Sequence, residues 1–351
     1  MKKKNLFIGL ALSLAVTGCG KEALENTNTN VKEEVKQEEN EEVKEAKTEK
    51  KDESKVIYAS FYPIYNLTKQ IAGDKFDVKA FNSLTTESHD FEPSAKEIAE
   101  LSESQLIFMN GAGMEDWKDD VNETIDISMV DTSESLNLIK ADHDHEDAED
   151  HDHDHEDAED HDHDHDHEEG EHHHHHHGEF DPHTWLSPVN AKAQAKVIAD
   201  KLAEIDPANK DYYQKNYEEI AKEFDEIINE YKEKFAKVEN NKFIVPHEAF
   251  GYVARDFNLE QIPLASLTST ADPDAKVMKE VTDLAKADKI RTVFYEKGGS
   301  DKAAKTIAGE IGADTAALST MEFASQDEID KEVTIQEIIK ENLENIYKSL
   351  A

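Results

Sequence analysis

The 351-residue sequence contains a single cysteine, Cys19, so no internal disulfide can support the fold. Positive charge is scarce: 39 Lys and Arg stand against 80 Asp and Glu, a formal net charge of −41. That balance repels phosphate backbones and anionic headgroups, which argues against nucleic acid or anionic lipid as a partner. The apolar run Leu6 to Val16 is too short to span a bilayer, and no later segment is long and apolar enough. A Gly-x-x-x-x-Gly-Lys phosphate loop is also lacking, so any nucleotide hydrolysis of that type lies in another chain.

Lys2, Lys3 and Lys4 precede the apolar run, and Val16-Thr17-Gly18-Cys19 follows it. This is the order of an export signal. It resembles the lipobox of bacterial lipoproteins, which implies a signal peptide over 1–18, an acylated Cys19, and a chain lipid-anchored on the extracytoplasmic face of the cell membrane. Residues 19–55 are rich in Lys, Glu, Asn and Thr and nearly free of large apolar side chains. They bury too little surface to offset ordering and read as a flexible tether.

From Val56 onward, short apolar runs alternate with amphipathic stretches. Strands are expected at Val56 to Phe61, Val78 to Phe81, Leu106 to Met109 and Ile127 to Val130, with helices at Pro63 to Ala72 and Ala95 to Ser102. Pro188 to Ile205 and Pro207 to Val238 are long helical patterns that connect two lobes. A second series follows: strands at Phe243 to Val245, Leu259 to Leu264, Thr292 to Tyr295 and Thr315 to Leu318, and helices at Ala249 to Phe257, Pro273 to Ala287, Lys302 to Ile311 and Ile335 to Leu350. Such alternation predicts α/β architecture: two Rossmann-like lobes, each a mostly parallel sheet with flanking helices. The expected divisions are an N-terminal lobe over 56–187, a linker helical region over 188–238 and a C-terminal lobe over 239–351.

Of 18 histidines, fifteen lie between His143 and His177. There a ten-residue His/Asp/Glu unit repeats and ends in six consecutive histidines. Ala141 to Asp181 carries twenty acidic residues and no Lys or Arg. The loop over 142–179 is expected to be disordered without metal. It reads either as a solvated acidic linker or as a low-affinity zinc collector or sensor built from many unorganised imidazole and carboxylate sites.

The other three histidines sit at element boundaries, where ligands on a rigid scaffold usually occur. His89 lies in Ser88-His89-Asp90-Phe91-Glu92-Pro93, His183 in Asp181-Pro182-His183-Thr184-Trp185-Leu186-Ser187-Pro188, and His247 in Pro246-His247-Glu248-Ala249-Phe250-Gly251-Tyr252. On these blocks the chain from Val56 to its C-terminus resembles the zinc and manganese solute-binding proteins of ABC importers. The resemblance implies two lobes joined by a long rigid helix, one metal ion in the cleft, and a membrane permease as partner. It also implies that His89, His183 and His247 are ligands, with a carboxylate after the last strand as the fourth. Relatives commonly read Leu-x-Pro-Leu before that acid. Here the stretch is Leu318-Ser319-Thr320-Met321-Glu322, with Thr320 in the proline position, and Glu322 is the choice. Glu296, at another strand end, is the competitor.

Three imidazoles and one carboxylate suit tetrahedral Zn²⁺, whereas the manganese branch uses two histidines and two carboxylates. Trp185, Phe250 and Tyr252 read as packing around the cleft, and Glu248 as a solvated helix residue. His247-Glu248 begins like a His-Glu-x-x-His protease motif, but Gly251 occupies the second histidine position, so a zinc hydrolase is disfavoured. A surface adhesin or zinc buffer on the same scaffold stays open. The chain is read as a monomeric, non-enzymatic zinc-binding protein.

Overall fold

A computed structural model describes residues 55–141, 178–267 and 273–351. The expected signal peptide, Cys19, almost all of the tether and the His-rich repeat lie outside the described residues. The elements run β1 (Val56–Ala59), α1 (Tyr62–Ala72), β2 (Asp77–Ala80), α2 (Ala95–Leu101), β3 (Leu106–Met109), α3 (Lys118–Thr124) and β4 (Ser128–Asp131). After the His-rich segment come α4 (Pro188–Ile205), α5 (Lys210–Phe235), β5 (Lys242–Val245), α6 (Gly251–Phe257), β6 (Glu260–Pro263), α7 (Ala275–Ala287), β7 (Thr292–Glu296), α8 (Lys302–Ile311), β8 (Asp314–Leu318), α9 (Gln326–Asp330) and α10 (Ile335–Leu350).

Two parallel four-stranded sheets result, ordered β2-β1-β3-β4 and β6-β5-β7-β8. Inner strands such as Leu106–Met109 are buried throughout, as parallel strands covered on both faces require. Edge strands carry polar residues, among them Asp77 and Lys79 in β2, and Glu260 and Gln261 in β6. That blunts pairing with another chain, and Pro263 closes β6 at an edge, where its missing N–H costs no ladder bond.

The chain passes between sheets through a helical hairpin. Lys192 pairs with Asp225, and Gln214 reaches back to Asp200, so α4 and α5 run antiparallel. Ser187 caps α4 by accepting the Val189 N–H, and Pro188 starts the helix with its φ preset. A 3₁₀ turn at Pro207–Asn209 separates the two helices, so α5 starts at Lys210 rather than at Pro207 as the pattern suggested. One hydrophobic core spans both lobes, from Phe61 and Trp185 through Phe224 and Tyr231 to Phe243, Phe294 and Leu343. Smaller clusters cover the outer face of each sheet.

Two short helices escaped the sequence reading. Only Val121 of α3 is buried, so it leaves no apolar period. In α9 no residue is buried, yet a capping box between Ser325 and Glu328 marks its start, a signal available in the sequence. Helix α6 begins at Gly251 rather than Ala249. Glu248 is therefore half-buried in the turn before the helix, not solvated on it.

Candidate metal centre

Ligands of open parallel sheets collect beyond the carboxyl ends of strands. His89 lies in the segment after β2, His247 in the turn after β5, and Glu322 in the turn after β8. His183 immediately precedes the 3₁₀ turn Thr184–Leu186 that leads into α4. Their potential ligand atoms all lie within 4.8 Å of one another. His89 Nε2 is 3.2 Å from His183 Nε2. Glu322 Oε1 is 3.6, 3.4 and 3.3 Å from Nε2 of His89, His183 and His247. Ligands about 2.0–2.1 Å from a tetrahedral centre stand about 3.3 Å apart, so these edges match a four-coordinate N₃O shell.

Two further observations fit an ion there. His247 Nε2 and Glu322 Oε1 are buried without a hydrogen-bond partner, although each faces the other at 3.3 Å. Buried orphaned polar atoms are costly, and a shared cation satisfies both at once. His183 is fully buried and Glu322 nearly so, which keeps water from competing.

Each segment is held by specific bonds. Asp181 Oδ1 accepts from the His183 backbone N–H and lies 2.9 Å from His183 Nδ1. That aims Nε2 at the centre. Asn110 donates to the Pro182 carbonyl and accepts from the Thr184 hydroxyl, fixing the His183 turn on the end of β3. Tyr252, expected as packing, is buried and also donates its hydroxyl to the Asp181 carbonyl at 2.7 Å. Met321 has φ 59°, a left-handed conformation that costs a non-glycine residue energy and turns the chain just before Glu322. Asn342 braces that turn by accepting the Ser319 N–H and donating to the Ser319 carbonyl. Across the cleft, Trp185 Nε1 donates to the Thr320 carbonyl at 2.7 Å, and Ser88 Oγ to the Glu322 carbonyl at 2.8 Å.

The model of the family described as "Zinc-uptake complex component A periplasmic" matches residues 57–349. The chain belongs to that family. It is 33% identical over 353 residues to the "High-affinity zinc uptake system protein ZnuA" of Bacillus subtilis (strain 168), covering 99% of this chain and 98% of that protein. Among solved structures, the metal-dependent lipoprotein YcdH from Bacillus subtilis is 31% identical with TM-score 0.68, over 84% of this chain and 99% of that one. The Zn(II)-bound ZnuA-like domain of Streptococcus pneumoniae AdcA is 25% identical with TM-score 0.67, over 84% and 98% of the two chains.

The family is a component of an uptake complex, not an enzyme, and the two-lobed α/β architecture agrees with its solved members. Within this family's cleft the competitor Glu296 stands beside the four residues rather than among them. It groups with Glu87 and Glu322 in an adjacent carboxylate set. Its Oε1 accepts from Thr320 Oγ1 at 2.5 Å, so the threonine in the common proline position makes a bond proline cannot. Sequence reasoning missed Glu87, whose Oε1 accepts the backbone N–H of Ser88 and His89, and nothing in its local pattern marked it. It also gave Asp181 no role, although an Asp two residues ahead of a histidine is placed to accept that residue's N–H.

Electrostatically the cleft is a proton-binding cluster while ion-free. Burial opposes charge on His183, but the carboxylates of Asp181 and Glu322 outweigh it and raise the imidazole to about 9. Burial also works against ionised Glu322, yet the imidazoles of His183, His247 and His89 gathered around it hold it well below the usual range. Burial, reinforced by neighbouring Glu322, pushes Glu87 up to about 8. An entering cation replaces protons.

Proposed function

We propose that this chain is an extracytoplasmic zinc-capture protein that binds Zn²⁺ through His89, His183, His247 and Glu322 and delivers it to the permease of an ABC importer. The observation that carries the reading is the 3.2–3.6 Å spacing of ligand atoms, which supports a tetrahedral N₃O shell. Four protein ligands fill that shell, so no position stays open for a reactive water, as befits cargo binding. Membership of a zinc-uptake family supports zinc as the cargo and a membrane complex as the recipient. A lipid anchor on Cys19 agrees with the lipoprotein named among the similar structures. It keeps the chain beside its permease, as a monomer at the outer face of the membrane. The His-rich loop serves as a low-affinity zinc collector, because it ends only a few residues before His183.

The test is competitive zinc titration of a protein lacking 142–177. One tight ion per chain is expected, abolished by His89, His183 and His247 together changed to Ala, and strongly weakened by Glu322→Gln. Nanomolar affinity retained by the triple variant would overturn the assignment. An unchanged zinc stoichiometry at micromolar metal on removing 142–177 would overturn the collector role.

A further inference from the structure

His183 and His247 are approached from behind in the same way. His183 turns Nε2 to the centre and Nδ1 to Asp181 Oδ1 at 2.9 Å. His247 turns Nε2 to Glu322 Oε1 at 3.3 Å and Nδ1 to Glu296 Oε2 at 3.9 Å. Glu296 is the last residue of β7, so its backbone is fixed by the β7–β8 ladder. Its other oxygen is occupied by Thr320 Oγ1. One oxygen is therefore tied to the turn that carries Glu322, and the second is left facing the histidine of the other strand end.

Resting on the zinc reading above, we propose that Glu296 is a positioning residue for His247 rather than a fourth or fifth ligand: its Oε2 accepts the Nδ1–H, fixes the ring and its tautomer, and leaves the Nε2 lone pair for the ion. A metal-bound imidazole almost always donates its second N–H to a carboxylate, carbonyl or water. The tautomer of a neutral imidazole is set by the bond its other nitrogen makes. The 3.9 Å separation exceeds a hydrogen bond by about 0.7 Å, within reach of a small ring rotation as the ion draws on Nε2. The two lobes then contribute equivalent devices, Asp181 behind His183 and Glu296 behind His247. Thr320 links the second device to Glu322, so the carboxylate that positions and the carboxylate that binds move as one unit.

The experiment compares zinc affinity of the full chain with that of Glu296→Ala, Glu296→Gln and Glu322→Gln. It also records the His247 Nδ1–H proton signal of each zinc-loaded protein by NMR. A positioning role predicts about 10- to 100-fold weaker binding for Glu296→Ala, the range for loss of a carboxylate that orients a metal-bound histidine. Glu296→Gln should recover most of that loss, since its amide oxygen still accepts the N–H. The Nδ1–H signal should be slow to exchange in the parent and in Glu296→Gln, and broadened by exchange in Glu296→Ala. Affinity and proton signal both unchanged in Glu296→Ala would overturn the proposal. So would Glu296→Gln failing as badly as Glu322→Gln, which would make Glu296 a ligand. Failure of the parent protein to bind zinc tightly would refute the functional reading instead, so the two failures are distinguishable.

Discussion

Gly251→Ala tests how the cleft is built without touching a proposed ligand. Gly251 is the first residue of α6, and a Cβ there would sit 2.7 Å from Asp181 Oδ2. Ordinary contact starts at 3.4 Å, so the carboxylate must retreat by about 0.7 Å. Oδ2 shares its carboxylate with Oδ1, which lies 2.9 Å from His183 Nδ1, and a shift of that size in line with the bond takes it past the limit for a hydrogen bond. A bond to a charged group is worth about 1.5–3 kcal/mol, so zinc affinity should fall about 10- to 100-fold. Folding stability of the ion-free protein should fall as well, because the same carboxylate stabilises protonated His183 there, and the better helix propensity of alanine, about 0.5–1 kcal/mol, offsets only part of that loss. Gly309→Ala is the control: it lies in α8 with open space around it. It should gain the helix benefit, raise the Tm slightly and leave zinc binding alone. Competitive titration with a fluorescent chelator and thermal melting of the ion-free proteins measure both effects. If Gly251→Ala binds zinc as the parent does, the chain of reasoning from Asp181 through His183 to the ion is wrong.

Trp185→Phe removes the N–H that satisfies the buried Thr320 carbonyl. It should cost about 1–3 kcal/mol in denaturant unfolding and weaken zinc binding by loosening the Glu322 turn. Zinc affinity should rise with pH from about 6.5 to 9, since His183, raised to about 9, must lose its proton to bind. Calorimetry in two buffers of different ionisation enthalpy should register proton release at neutral pH. In the ion-free protein the sign reverses. With a folded value of about 9 against about 6.5 unfolded, His183 stabilises fully below 6.5 and loses that contribution as pH rises through 9. Glu87, raised to about 8, adds in the same direction. Ion-free Tm should therefore fall across this window, and excess zinc should cancel the fall.

The eight strands among the described residues were legible: inner ones because burial on both faces of a parallel sheet writes itself into consecutive apolar residues such as Leu106 to Met109, and edge strands such as β2 and β6, which carry polar residues, through the alternation of strands and helices along the chain. The three histidines were legible because each sits in a distinctive block at an element boundary. Helix α3 and the partners of the site were not. Tyr252 and Thr320 reach the cleft through long-range bonds that no local period encodes, such as the hydroxyl of Tyr252 on the Asp181 carbonyl, and Glu87 makes only neighbour bonds to the Ser88 and His89 N–H groups, which leave no pattern in the sequence. The choice between Glu322 and Glu296 was open in sequence for the same reason. Glu296 ends β7 and Glu322 follows β8, two strands that are neighbours in the sheet, so only the path of the turn beyond β8, with Met321 in its left-handed conformation, separates them.

The antiparallel bridge between Lys140 and Phe180 has a consequence for how the chain tolerates change. Ala141 N–H donates to the Glu179 carbonyl and Asp181 N–H to the Ile139 carbonyl, so the lobe is sealed at the root of the insertion before the repeat begins. Closing a flexible loop costs only about 0.6 kcal/mol more per doubling of its length. Loop closure at this root therefore places little thermodynamic constraint on how many copies of the ten-residue unit stand between Ala141 and Glu179.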